Sequence, residues 1–264
     1  MQELKDQLTP VLFVGHGDPM NAVRDNAFTR TLAVMGKTLE KELNGKPKAI
    51  MMISAHWLTR GTFVSVTEKP ETIYDFSGFP EELYKVVYPA PGAPETAREA
   101  IRLAPEIKED AEWGLDHGAW SVLRHIFPAA DIPVFQLSID YYKPMQYHFD
   151  LARKLQPLRG QGVLVIGSGN IVHNLRAYFE NPSGSPFDWA VEFDAWVKEK
   201  IVARDFQSLI NYQSEGAAAK LAVPTPDHYA PLIYALAFAE GNEKMEFTYE
   251  EVQSSVSMRS FRVG

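Results

Sequence analysis

Val11-Leu-Phe-Val-Gly-His-Gly-Asp-Pro19 carries an apolar run straight into glycine, histidine and glycine. An uninterrupted apolar run of this length reads as a strand buried on both faces, and the glycines free the backbone to turn sharply around His16. Ala49-Ile-Met-Met-Ile-Ser-Ala-His56 repeats the pattern, with a histidine just past the strand end. Thr62–Val66, Ile132–Ile139 and Val163–Gly167 are further short apolar runs that read as buried strands. Helical segments alternate with them: Arg24–Leu43, rich in helix formers and stopped by Asn44-Gly45, Pro94–Leu103 with proline in its first turn, and Met145–Leu158. This alternation predicts an α/β fold with a largely parallel or mixed central sheet and helices on both faces.

Asp188–Phe206 adds an amphipathic helix after the loop at 181–186. Glu246–Gln253 and Ser255–Val263 alternate as two strands joined by a short turn, expected antiparallel at a sheet edge. No repeat, low-complexity tract or linker interrupts the chain, so residues 1–264 are expected to form a single catalytic domain. The long irregular stretch Glu68–Pro94 carries Tyr74, Phe76, Phe79, Tyr84 and Tyr88. These aromatics either wall a pocket for a flat substrate or pin the loop to the body.

The 264 residues are 45% hydrophobic and 23% charged, enough for one sizeable core. A net charge of −8 with no basic cluster argues against nucleic acid as a partner. The absence of cysteine removes disulfides, thiolate metal sites and a cysteine nucleophile, so any metal must sit on nitrogen and oxygen. Residues 1–10 lack the basic and apolar regions of a leader, and no apolar run approaches the roughly 20 residues of a membrane helix. The expectation is a soluble, cytoplasmic protein with no membrane partner, and no residue pattern specifies an oligomeric state.

Five histidines stand at breaks beside apolar runs: His16, His56, His117, His173 and His228. Residues at strand ends are where an α/β sheet gathers groups from distant sequence, and imidazole is a common ligand for iron, zinc and copper. If the strands before His16 and His56 are parallel neighbours, both rings emerge at one sheet edge and reach one ion. Thr225 suits an N-cap, Pro226 the first helical position and Asp227 the dipole, which places His228 in the first turn of a helix Pro226–Ala239. The positive end of a helix disfavours imidazolium, and a neutral ring is what a metal requires. His117 and His173 are expected at helix starts near the same edge, as proton shuttles or as capping residues. His125 and His148 lie inside helical patterns and read as surface or satisfied core. Gly167-Ser-Gly169 lacks the third glycine of a dinucleotide loop, with Val172 in its place, so no nicotinamide site is expected.

The segments His16-Gly-Asp-Pro19, Ser54-Ala-His-Trp57, Tyr74-Asp-Phe-Ser-Gly-Phe-Pro80, Leu115-Asp-His-Gly-Ala-Trp120, Gly167-Ser-Gly-Asn170 with His173-Asn-Leu175, and Thr225-Pro-Asp-His228 with Pro231-Leu232 occur in one order. In these the chain resembles the class III extradiol ring-cleavage dioxygenases, most closely their 4,5-DOPA dioxygenase extradiol type, over nearly its whole length. The resemblance implies that His16, His56 and His228 hold a divalent metal, that His173 is an acid–base or a fourth ligand, and that His117 lines the pocket. Fe(II) is the metal implied for dioxygenase activity, with Zn(II) as another occupant, and a catechol-type aromatic and O2 are the implied substrates. Asp18 stands where relatives often have serine, and is expected either to orient His16 or to repel an anionic substrate. Two other readings of the histidines remain: a zinc hydrolase on the same site, and a non-enzymatic protein that keeps the fold and binds partners.

Overall fold

The computed structural model describes residues 8–182 and 184–264; the leader reading of residues 1–7 and the loop assignment of Ser183 lie outside the described residues. The strands are β1 (Val11–Gly15), β2 (Ala49–Ser54), β3 (Leu58–Thr59), β4 (Thr62–Ser65), β5 (Ile107–Asp110), β6 (Val134–Gln136), β7 (Ile139–Asp140), β8 (Val163–Gly169), β9 (Met245–Tyr249), β10 (Val252–Gln253), β11 (Val256–Ser257) and β12 (Ser260–Val263). The helices are α1 (Ala27–Glu42), α2 (Pro94–Leu103), α3 (His117–Ile126), α4 (Met145–Leu155), α5 (Pro157–Gly160), α6 (Leu175–Glu180), α7 (Asp188–Ala203), α8 (Phe206–Ile210), α9 (Gly216–Ala222) and α10 (Ala230–Ala237).

Six strands form the central sheet in the order β6-β2-β8-β1-β12-β9. β6, β2, β8 and β1 run parallel, and β12 and β9 close one edge antiparallel, so the sheet is mixed. Alternate residues of one strand feed two cores. Val11 and Phe13 pack with residues of α4, α7 and α10, and Leu12 and Val14 with residues of α1 and α3. Burial on both faces is why these strands read as continuous apolar runs.

The local chemistry fixes the helix boundaries. Asn26 caps α1 reciprocally with Thr29, and Asp116 caps α3 by accepting from the Ala119 backbone N–H at 3.1 Å. Several expectations shift. β1 and β2 are parallel but not neighbours, because β8 lies between them. The Ile132–Ile139 run splits into β6 and β7: after Gln136 the chain leaves the central sheet, Ser138 accepts from the Phe63 N–H, and β7 pairs with β3. The Met145–Leu158 helix stops at Leu155, with Pro157 starting the short α5. The helix expected from Pro226 begins at Ala230. The His228 carbonyl accepts from the Asn170 N–H at 2.8 Å, so the Leu232 N–H bonds to Tyr229 instead. Thr225 is therefore no N-cap, and His228 sits in the turn before α10. The C-terminal pair lies at the edge as expected, but β10 and β11 form a small hairpin of their own about Ser254.

Candidate metal centre

β8 carries Ser168-Gly169 between the tips of β1 and β2, in register with Gly15 and Ser54. Parallel strands separated by a third lie roughly 10 Å apart, within reach of two imidazoles that lean together across its end. His16 continues β1 by donating its backbone N–H to Gly169 at 3.1 Å, and His56 stands two residues past β2. Their Nε2 atoms are 3.1 Å apart. A Cβ on Gly169 would stand 2.2 Å from the His228 carbonyl oxygen, so glycine there lets the His228 turn close over the strand end.

The rings of His16, His56 and His228 form a nearly equilateral triangle, with centroids 5.0, 5.3 and 5.0 Å apart. His117 lies on its flank, 3.8 Å from His56 and 5.7 Å from His16. His173 stacks on His228 at 3.5 Å with the ring planes 8° from parallel. All five, drawn from the expected positions, line one cavity of about 350 Å³. His125 and His148 stay away from it: His125 bonds the Asn21 carbonyl at 2.8 Å, and His148 is buried against the Tyr234 hydroxyl at 2.9 Å.

Three of the five rings, those of His16, His117 and His228, are oriented by a hydrogen bond at Nδ1. The Ser168 hydroxyl donates to the Gly118 carbonyl at 2.6 Å, so it accepts from His16 Nδ1–H at 3.0 Å. Asp227 faces His228 Nδ1, and Asp75 accepts from His117 Nδ1–H at 2.8 Å. The same Asp75 oxygen stands 3.2 Å from His56 Nδ1. An acceptor at Nδ1 places the lone pair on Nε2, the arrangement that suits a metal-ligating imidazole. Burial, then the neighbouring imidazoles, holds His16 and His56 well below the ordinary histidine range, so they stay neutral. Burial, then His228, does the same for His173. Burial pushes the Asp75 carboxyl up, but its bonds to His117 outweigh this and leave it below the usual carboxylate range.

The donor set fits a divalent cation. Two nitrogens each about 2.0–2.1 Å from one ion stand roughly 3 Å apart, which matches the 3.1 Å His16–His56 separation. Donors of His16, His56 and His117 lie within 4.8 Å of one another, as do those of His173, Asp227 and His228. In the second group the His173 and His228 rings are stacked 3.5 Å apart with planes 8° from parallel, so their in-plane lone pairs would not converge on one ion.

Sequence reasoning missed Asp75, Ser168 and the buried Ser54–Asp116–Gln136 chain behind them. Asp75 stood in plain view as the acidic residue of the Tyr74–Pro80 stretch, but nothing in the sequence links it to residues 56 and 117. Asp18 does not orient His16. Its carboxylate accepts from the Met20 N–H at 2.7 Å and pairs with Arg24 at 3.5 Å, at the cavity rim. The aromatic loop both lines the cavity and is tied to the body. Phe76 and Phe79 line the cavity, with Phe76 edge-on to His117 at 5.4 Å, while the Tyr74 hydroxyl braces the loop internally on the Val86 carbonyl and the Tyr88 hydroxyl pins it to the Phe127 carbonyl.

An α/β fold whose mixed sheet gathers five imidazoles around an aromatic-walled cavity defines a candidate metal-dependent enzyme. Residues 9–260 match the family model of the catalytic LigB subunit of aromatic ring-opening dioxygenase, and the chain belongs to that family of ring-cleaving dioxygenases. It is 43% identical to the 4,5-DOPA dioxygenase extradiol of Escherichia coli (strain K12), over 97% of this chain and 94% of the relative. It is 37% identical to the 4,5-DOPA dioxygenase extradiol of Beta vulgaris, over 93% and 92%. A crystal structure of an uncharacterized protein from Escherichia coli K12 superposes with a TM-score of 0.82 at 41% identity, covering 97% of this chain and all of that one. Among the described residues, no helix is long and apolar enough to cross a membrane.

Proposed function

We propose that the chain is an Fe(II)-dependent extradiol dioxygenase that opens the ring of a DOPA-like catechol. The observation that carries this reading is the set of five imidazoles lining one aromatic-walled cavity, with Nδ1 of His16, His117 and His228 held from behind and the Nε2 atoms of His16 and His56 3.1 Å apart. His16, His56 and His228 are the residues assigned to hold the metal, and His173 to proton transfer, because its ring plane is offset from that of His228 by the stack. Fe(II) bound there supplies acidification of the catechol hydroxyls and an electron path between ring and dioxygen.

The chain's own residues do the rest. Phe76 and Phe79 offer apolar faces for a flat ring and exclude water from one side of it. A neutral His173 accepts a proton from a catechol hydroxyl through its ring nitrogen and returns it later to the product. His117, anchored twice by Asp75, presents a fixed Nε2 to the same space and orients the substrate's oxygens. Exposed Leu175 and Phe179 stand at the mouth on α6, apolar surface for the substrate's side chain.

The test is turnover of DOPA and simple catechols by anaerobically Fe(II)-loaded protein after admission of oxygen, with Zn(II)-loaded protein as control. Oxygen uptake, a yellow product and a mass gain of two oxygen atoms are expected with iron alone. No uptake with any catechol, or uptake without ring opening, refutes the reading. His173→Ala is expected to keep the metal and lose turnover. His228→Ala is expected to lose the metal, whereas loss in His117→Ala instead reassigns the third ligand to His117.

A further inference from the structure

Asp75 sits where two imidazoles meet. Its Oδ2 accepts from Nδ1–H of His117 at 2.8 Å and stands 3.2 Å from Nδ1 of His56, and its Oδ1 accepts from the His117 backbone N–H at 2.9 Å. The two rings are 3.8 Å apart, tilted by 47°, and the carboxylate is itself largely covered. A carboxylate offers only acceptors: its hydrogen bond fixes a proton on His117 Nδ1, and the same negative oxygen 3.2 Å from His56 Nδ1, a close charge contact without hydrogen-bond alignment, favours a proton there as well.

We propose that Asp75 is the positioning residue that sets the tautomers of His56 and His117 together, keeping both Nδ1 atoms protonated and both Nε2 lone pairs turned to the cavity. Its consequence for metal binding rests on the reading of the cavity given above; the tautomer assignment itself does not.

Asparagine at this position meets a conflict in either orientation. With its oxygen on the His117 N–H, its NH2 group faces both rings and demands acceptors there. The protons then move to Nε2, and a protonated Nε2 on His56 cannot ligate. It donates instead to His16 Nε2, 3.1 Å away, which closes the pair without a metal. With the amide flipped, NH2 meets the His117 N–H, donor against donor. Alanine adds no donor and leaves each ring free to keep its proton on Nδ1. A carboxylate that merely braced the loop would rank the substitutions the other way, because asparagine keeps the volume and one hydrogen bond. Wrong-tautomer trapping by an Asp→Asn change behind a histidine has the same logic in the serine-protease triad.

The experiment uses the full chain, metal-free, with 15N-labelled histidine, as wild type, Asp75→Asn and Asp75→Ala. Imidazole 15N shifts report the tautomers, competition with a chromophoric chelator reports Zn(II) affinity, and thermal melts report folding. Wild type is expected to show protonated Nδ1 and bare Nε2 on His56 and His117, reversed in Asp75→Asn. Zn(II) affinity is expected to fall by about 10–100-fold in Asp75→Asn and by less in Asp75→Ala. Nε2-protonated rings in wild type, or weaker binding by Asp75→Ala than by Asp75→Asn, overturns the proposal. If Asp75→Asn does not fold, the wild-type tautomers decide. Wild type with the expected tautomers but no Zn(II) binding refutes the metal site and leaves the tautomer assignment standing.

Discussion

Replacing Ser168 with alanine removes one oxygen behind the candidate metal centre and leaves the rest of β8 in place. Ser168 is fully buried, and its hydroxyl takes the His16 Nδ1–H at 3.0 Å while donating to the Gly118 carbonyl at 2.6 Å. That carbonyl lies in the first turn of α3, where the helix supplies a donor of its own, so most of the loss falls on His16. A buried donor left without an acceptor costs about 1–3 kcal/mol. In a chain of this size each kcal/mol lowers Tm by about 2–4 °C. His16 escapes the penalty only by moving its proton to Nε2, the nitrogen that faces His56, and either route weakens the metal site. The expected outcome is a metal-free protein that melts a few degrees lower and binds Zn(II) or Fe(II) about 10–100-fold more weakly, measured by thermal melts and chelator competition. Wild-type affinity in Ser168→Ala would falsify the claim that the Nδ1 partner holds His16 in its ligating form.

The buried neutral histidines predict a pH dependence. His16, His56 and His173 are held well below the ordinary range, and burial brings His148 down to about 4. Unfolded histidines titrate near about 6.5, so the unfolded chain takes up protons first as the pH falls; the stabilisation is intact above that value and is lost on the way down to the folded values. Melts of metal-free protein should drop between neutral pH and pH 5, by up to about 1.4 kcal/mol per pH unit for each such histidine, and a flat profile counts against the neutral cluster. Phe76→Ala should raise KM for catechols about tenfold while Zn(II) affinity stays unchanged, since Phe76 touches the cavity through its ring only; unchanged KM removes it from the substrate wall. Arg159 is fully buried, donating to the Thr9 and Phe238 carbonyls and to Glu243, so Arg159→Ala should destabilise by about 3–5 kcal/mol in denaturant melts. A loss under about 1 kcal/mol would show that the pair carries little of the fold.

Much of the architecture was legible because buried parallel strands announce themselves locally. β2 runs from Ala49 to Ser54 as the apolar pattern indicated, and β1 from Val11 to Gly15. The failures occur where a distant partner takes over a backbone group. The turn at Pro226–Tyr229 stays out of the helix because Asn170 claims the His228 carbonyl, and the 132–139 run divides because β3 and Phe63 capture its second half. The five histidines were visible as a set because each follows or precedes a structural break. Two of their partners were not: nothing local ties Asp75 to residues 56 and 117 or Ser168 to residue 16, whereas Asp227 adjoins His228 in the chain.

Residue types and their spacing, then, determined the strands, the exclusion of thiolate donors and the candidate histidines, because period and composition act between neighbours along the chain. Strand order, the placing of Ser168 between His16 and His56, and the Asp75 bridge to residues 56 and 117 were decided only by the tertiary fold. Ring orientation and tautomer depend on which acceptor stands about 3 Å behind each imidazole, and that acceptor comes from a different part of the chain almost every time.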